Sequence, residues 1–243
     1  MATIEEFNPV LTHPELFTGR IGKLKNVKLH IEMDPSCKPT QIPAYEIPFS
    51  MYDLTYKKLM ALEEQGIIKR PTGRVKWISH MNPVEKLDKD GNLVDIRITI
   101  NSKCFNKAVI PQKRHIPSVV ELTHAMNGME YFSKLDFIEA FSQIELDDDQ
   151  LHAMSTLWGL FVITRMHMGL NTASELFQEI MEKLLIGITG VKVALDDVII
   201  SGKTKDECKQ STLECLDRIK EAGMTLNLKK CQFLQPEVEF SVW

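Results

Sequence analysis

Apolar positions recur at helical spacing in four stretches and alternate with polar ones in several shorter runs. In "SMYDLTYKKLMALEEQGIIKR", Leu54, Leu59 and Leu62 fall at helical spacing, and Gly66 supplies the stop. "IPSVVELTHAM" predicts a helix entered at Pro117 and Ser118 and closed by Asn127-Gly128. "NTASELFQEIMEKLLIGI" carries apolar residues at 176, 177, 180, 181, 184 and 185, the clearest amphipathic helix of the chain. "DECKQSTLECLDRIKEAG" predicts a helix ended by Gly223. "VKLHIEM" alternates as a strand does, and "MNPVEKL", "DKDGN" and "LVDIRITIN" read as strand, tight turn, strand. "YFSKLDF" is a short strand, "VKVALDDVIISG" is strand–turn–strand, and "MTLNL" and "VEFSVW" are expected as closing strands. Prolines 9, 14, 35, 39, 43 and 48 make residues 1–48 an extended arm.

From Phe132 onward the order is strand, helix, strand–turn–strand, helix, strand. That is a split βαβ pattern, which predicts an α+β fold with an antiparallel sheet backed by helices. Asp136 ends the first strand of this unit, and Asp196-Asp197 occupy the hairpin turn. In such a sheet the first strand and the hairpin lie side by side, so the three carboxylates can meet at one edge. Gathered carboxylates repel unless a cation neutralises them, and oxygen-only ligands suit Mg2+ or Mn2+. Asp-Asp is equally a common pair in a solvated turn. Residue type and spacing alone leave both readings open.

Composition narrows the setting. The net charge of −4 excludes a globally basic nucleic-acid binder, so any basic surface is local. Five cysteines without a C-x-x-C pair argue against a disulfide framework or a metal cluster and point to a reducing compartment. The N-terminus lacks a basic segment followed by an apolar one, and no apolar run approaches membrane-spanning length. The expectation is an intracellular protein, in cytoplasm or nucleus, with no membrane partner.

"YFSKLDFIEAFSQIEL", "GLNTASELFQEIMEKLL", "ALDDVIISGKTKDE" and "RIKEAGMTLNLKKCQFLQPEVEF" resemble, in order, successive blocks of gypsy-type long-terminal-repeat retrotransposon reverse transcriptases. "HPELFTGRIGKLKNVKLHIEMDPSCKPTQIPAYEIPF" and "LEEQGIIKR" resemble the entry to the same domain. The resemblance implies a right-hand polymerase fold. Residues 1–48 would lead into fingers formed by 49–110 and 144–172, with the palm formed by 111–143 and 173–243; thumb, RNase H and integrase are expected to be absent. It implies RNA-directed DNA synthesis with two Mg2+ or Mn2+ ions, a primed RNA or DNA template and deoxynucleoside triphosphates.

Transferred position by position, Asp136, Asp196 and Asp197 are the catalytic carboxylates, and the Phe137 carbonyl is a further metal ligand. Asp136 and Asp196 would hold both ions, with Asp197 nearer the primer end. The backbone amides of Glu139 and Ala140, the Phe141 ring as a gate against the ribose 2′-hydroxyl, Arg97, Gly169 and Gln178 are implied on the nucleotide. Lys230 is implied as a general acid for the leaving pyrophosphate.

The chain also departs from the family pattern. Ala194 replaces the tyrosine of Tyr-x-Asp-Asp, and Asn101 replaces an aspartate after the fingers arginine. Met166-His167-Met168-Gly169 replaces a Leu-Pro-Phe-Gly turn, and Ser174 replaces a proline. These changes motivate an alternative: an inactive retroelement-derived fragment that binds nucleic acid or protein, or a non-functional relic.

Overall fold

A computed structural model of the chain describes residues 7–111, 118–147 and 152–239. Its helices are α1 (Pro9–Thr12), α2 (Tyr52–Glu64), α3 (Lys103–Asn106), α4 (Val119–Ala125), α5 (Ala173–Leu184) and α6 (Lys205–Glu221). Its strands are β1 (Lys28–Leu29), β2 (Ile68–Lys69), β3 (Trp77–Leu87), β4 (Leu93–Ile100), β5 (Tyr131–Asp136), β6 (Glu145–Leu146), β7 (His152–Thr156), β8 (Gly159–Ile163), β9 (Val191–Ala194), β10 (Asp197–Gly202) and β11 (Gln232–Gln235). They form two compact units. The first comprises residues 1–26, 113–143 and 174–243, and the second 27–112 and 144–173.

In the first unit β11, β5, β10 and β9 form one antiparallel sheet in that spatial order. Counted along the chain as strands one to four of the unit, the order is 4-1-3-2, as a split βαβ arrangement requires. β5 alternates. Ser133 and Leu135 are fully buried on one face, while Lys134 and Asp136 stand half-buried on the other. β10 is buried along its whole length, which explains its unbroken "DVIIS" run.

α6 lays Cys208, Thr212, Cys215, Leu216 and Ile219 inward, with Thr204 capping its first turn by accepting from the Glu207 N–H. The Thr212 hydroxyl donates to the Ser133 hydroxyl at 3.0 Å, tying helix to strand. Leu122 of α4 packs with Ala194 and Ile199. α4 is opened by a reciprocal capping box between Ser118 and Glu121, and Gly128 takes a φ of +78° just beyond its end. Pro117, expected at the entry to this helix, lies outside the described residues.

The closing strand is displaced from its predicted place. "MTLNL" makes only one bridge, Leu226 to Phe137, and the strand is "QFLQ" paired with β5. The reason is local. Gln143 takes the Thr225 N–H and shares its carbonyl with Ile138, accepting and donating at 2.8 Å, so the pairing stops at that single bridge. Of "VEFSVW", residues 240–243 lie outside the described residues, and 238–239 are not strand.

The second unit holds a mixed five-stranded sheet, β2-β8-β7-β3-β4, in which β3 and β7 run parallel. The predicted β3–β4 hairpin and α2 are present, with Gly91 and Gly66 in the left-handed region. "VKLHIEM" is strand only at Lys28–Leu29, with a separate bridge at Met33. The unpredicted hairpin β7–β8 turns through Leu157-Trp158 and a Gly159 at φ +100°. β7 is buried at every residue, so it lacks the alternation that marks a strand with one wet face.

Candidate active site

β5 ends on Asp136 and β10 begins on Asp197, and these two residues are directly opposed across the antiparallel ladder. Opposed residues project from the same face with Cβ atoms about 5 Å apart. Both carboxylates therefore leave one sheet edge side by side. The Asp136 backbone is held in turn. Its N–H donates to Cys231 Sγ at 3.4 Å, and its carbonyl accepts from the Asn227 N–H at 2.8 Å. Burial pushes the Cys231 thiol up to about 11, which keeps it a neutral partner.

Ala194 and Asp197 are also paired, so the hairpin turns through Leu195 and Asp196 alone. Leu195 sits at φ +57°, where such turns ordinarily use glycine. Holding a leucine there costs about 1 kcal/mol or more. The turn is clamped by Gln178 of α5, only 2% exposed. Its Oε1 accepts from the Leu195 N–H at 2.9 Å, and its Nε2 donates to the Val193 carbonyl at 2.9 Å and to Glu182 Oε1 at 2.7 Å. The buried stripe of α5 thus runs Phe177, Gln178, Met181 and continues to Leu185 just past its end, with a polar residue facing the hairpin backbone. The Gln178 amide, implied on a nucleotide by the resemblance, bonds the turn that presents the acids and Glu182 of its own helix.

Two lysines supply countercharge. Lys134 Nζ lies 2.7 Å from Asp197 Oδ2, and both side chains are less than a fifth exposed. Lys230 Nζ lies 3.6 Å from Asp136 Oδ2, with its own side chain 66% exposed. Burial raises the Asp136 carboxyl above the usual range, opposed by Lys230 and reinforced by Asp197. Burial likewise raises Asp197, opposed by its hydrogen bond from Lys134.

Asp196 is exposed in the turn. The hairpin thus brings Asp136 and Asp197 into register and leaves Asp196 one residue outward. Among the described residues, no three His, Cys, Asp or Glu side chains are drawn together as a ready ligand set. The donor chemistry nevertheless fits a hard divalent cation: oxygen atoms only, already drawing ammonium groups as countercharge. Phe137 fits as well. The bridge to Leu226 is bonded through Ile138 N–H to Thr225 O and Asn227 N–H to Asp136 O, so the Phe137 carbonyl is turned away from that partner.

Glu139, at φ +45°, is exposed at the turn after β5, and Ala140 opens a short 3-10 helix, Ala140–Gln143. Phe141 is buried, edge-on to the Phe177 ring at 5.6 Å. Arg97 and Gly169 belong to the other unit. Arg97 is exposed on β4 opposite Val84. At Gly169 a Cβ would lie 2.8 Å from the Ile100 carbonyl oxygen, so this turn admits only glycine without a shift. Lys134 was not among the expected residues. Its position two before Asp136 in an alternating strand was the available signal, since it puts both on one face.

A family model described as reverse transcriptase (RNA-dependent DNA polymerase) matches residues 87–241. The chain belongs to the reverse transcriptase family. It is 31% identical over 231 residues to an uncharacterized Caenorhabditis elegans protein, covering 93% of this chain and 18% of that one. It is 31% identical over 183 residues to the Retrovirus-related Pol polyprotein from transposon 297 of Drosophila melanogaster, covering 72% of this chain and 17% of the relative. The corresponding polyprotein from transposon 412 is 30% identical over 90% of this chain and 18% of its own length. The chain thus spans less than a fifth of these relatives.

Among solved structures, a foamy viral protease-reverse transcriptase in complex with double-stranded DNA superposes with a TM-score of 0.83 at 22% identity. That match covers 95% of this chain and 40% of the other. The foamy viral enzyme in complex with an RNA/DNA hybrid also gives 0.83, at 21% identity over 95% of this chain and 31% of the other. The fold is that of a right-hand polymerase. Reverse transcriptases generally use divalent metals.

Proposed function

We propose that this chain is the palm and fingers of an RNA-directed DNA polymerase, the first unit being palm and the second fingers. The opposed pair Asp136–Asp197 carries the reading. An antiparallel register that sets two part-buried acids face to face, beside a third in the turn, is costly without a cationic ligand.

With two Mg2+ or Mn2+ ions held there, charge developing on the attacking and leaving oxygens is offset. Asp136, Asp196 and Asp197 would hold the ions, Asp197 nearer the primer end, and the Phe137 carbonyl would add a further ligand. Gln178 keeps the hairpin in place, so the acids need no reorganisation when substrate arrives. Phe141, packed on Phe177, borders the turn whose amides at Glu139 and Ala140 would receive a deoxynucleoside triphosphate. Lys230, well exposed beside Asp136, would hand a proton from Nζ to departing pyrophosphate. The substrates are a primed RNA or DNA template and deoxynucleoside triphosphates.

Primer extension on an RNA template with Mg2+ or Mn2+ tests this. Wild type should incorporate label, and Asp136→Asn and Asp196→Asn should each lower the rate by roughly a thousandfold, as loss of a principal charge-stabilising group does. Equal incorporation by wild type and both variants would falsify the assignment.

A further inference from the structure

The Lys134 ammonium has a place that the proposed chemistry does not use. On β5 it stands two residues before Asp136, on the same face. Across the ladder Lys134 is opposite Ile199 and Asp136 is opposite Asp197, so Lys134 is the diagonal neighbour of Asp197. Diagonal partners on one face are about 7–8 Å apart at the backbone, a gap that a lysine side chain bridges and shorter ones do not. It closes to 2.7 Å on Asp197 Oδ2. The same ammonium donates to the carbonyl of Glu239 at 3.1 Å, in the segment following β11.

We infer that Lys134 is a tethered counter-cation that competes with divalent ions for Asp197, and so sets the affinity of the carboxylate pair for metal. This rests on the reading of Asp136 and Asp197 as metal ligands. With no metal bound, Lys134 neutralises the less exposed of the two opposed acids. When a divalent cation takes that oxygen, the ammonium retains the Glu239 carbonyl as a second partner, so displacement does not strand a part-buried charge. Lys230 is not equivalent. At 3.6 Å from Asp136 and 66% exposed, it is screened by water and contributes little to the competition.

The test is Mn2+ binding to the apo chain, followed by the electron paramagnetic resonance signal of free Mn2+, without nucleotide or primer. Lys134→Met should tighten Mn2+ binding roughly three- to tenfold, the scale of losing one part-buried charge pair. Lys134→Arg, which keeps the charge, should stay near wild type, and Lys230→Met should shift affinity less than about twofold. Lys134→Gln keeps a donor for Glu239 and gives the same tightening should the methionine variant fail to fold. Unchanged or weaker Mn2+ binding in the folded uncharged variant overturns the lysine inference while leaving the polymerase reading intact. If neither wild type nor variant binds Mn2+ in a manner abolished by Asp136→Asn, the metal reading falls and the inference with it.

Discussion

In the unit that carries the acids, buried Ser133, Gln143, Gln178, Ser201, Thr212 and Thr225 all have hydrogen-bond partners. In the other unit, His80 Nδ1, Ser102 Oγ, His152 Nδ1, His167 Nε2 and Thr172 Oγ1 are buried with no such partner. The first unit uses side-chain amides to replace missing backbone bonds. The second buries the His152 and His167 imidazoles with one nitrogen engaged and the other idle. His152 bonds to Ser79 through Nε2 at 2.9 Å, and His167 accepts from the Gly169 N–H through Nδ1 at 3.1 Å. Since an unpaired buried polar group costs about 1–3 kcal/mol, the units should answer the same kind of substitution differently. Among the described residues, the carboxylates stand on the unit without orphaned buried side-chain atoms, where positional precision is needed.

The largest effect is expected at the clamp. Gln178→Leu removes the partners of the Leu195 N–H and Val193 carbonyl together and should lower stability by about 3 kcal/mol or more. Urea unfolding measures this, and a loss under about 1 kcal/mol would erase the contrast between the units. Acid comes next. Burial lowers His167 from 6.5 to about 4, and His152 falls well below 6.5 for the same reason, with His167 adding to it. Between pH 6.5 and about 4 the unfolded chain therefore binds protons that the folded chain refuses, so stability declines as pH falls through that window. His167 alone accounts for about 3 kcal/mol of this decline. Chemical unfolding at pH 7 and pH 4.5, repeated on His167→Leu, should show a shallower pH slope in the variant.

A smaller loss, about 2 kcal/mol, is expected for Gly169→Ala, whose Cβ would meet the Ile100 carbonyl at 2.8 Å. Thermal melting reads it directly. Smallest is His152→Leu. It gives up the Ser79 bond and the 4.0 Å stack on Phe105 while removing an orphaned nitrogen. At pH 7 the net change should stay within about 1 kcal/mol, and at pH 5 the variant should be the more stable protein. A pH 7 loss comparable to that of Gln178→Leu would show that the orphaned nitrogen costs nothing.

Much of this contrast was invisible in the sequence. Elements with one wet face or a strong stop signal were legible: α2 before Gly66, the β3–β4 hairpin around Gly91, α4 behind Ser118, α6 before Gly223. β7 was hidden because both of its faces are covered, so its residues show no period. "MTLNL" looked like a strand by its β-branched and apolar composition, but Gln143, far away in sequence, claims its backbone. Asp136 and the Asp-Asp turn stood out as candidates, and their ladder register is a fact only of the folded sheet. Gln178 stood out only through the family resemblance; that its amide bonds the hairpin main chain and Glu182 is visible only in the folded chain.

The pairing of Asp136 with Asp197 on a ladder, rather than on two loops, has a mechanical consequence. The distance between their α-carbons is pinned by hydrogen bonds on either side, so no hinge can widen or narrow it gradually. Sliding β10 by one residue would swing Asp197 to the opposite side and bring Val198 out in its stead. Tuning for ionic radius is therefore left to side-chain rotation, while the main chain offers only two outcomes, aligned or lost.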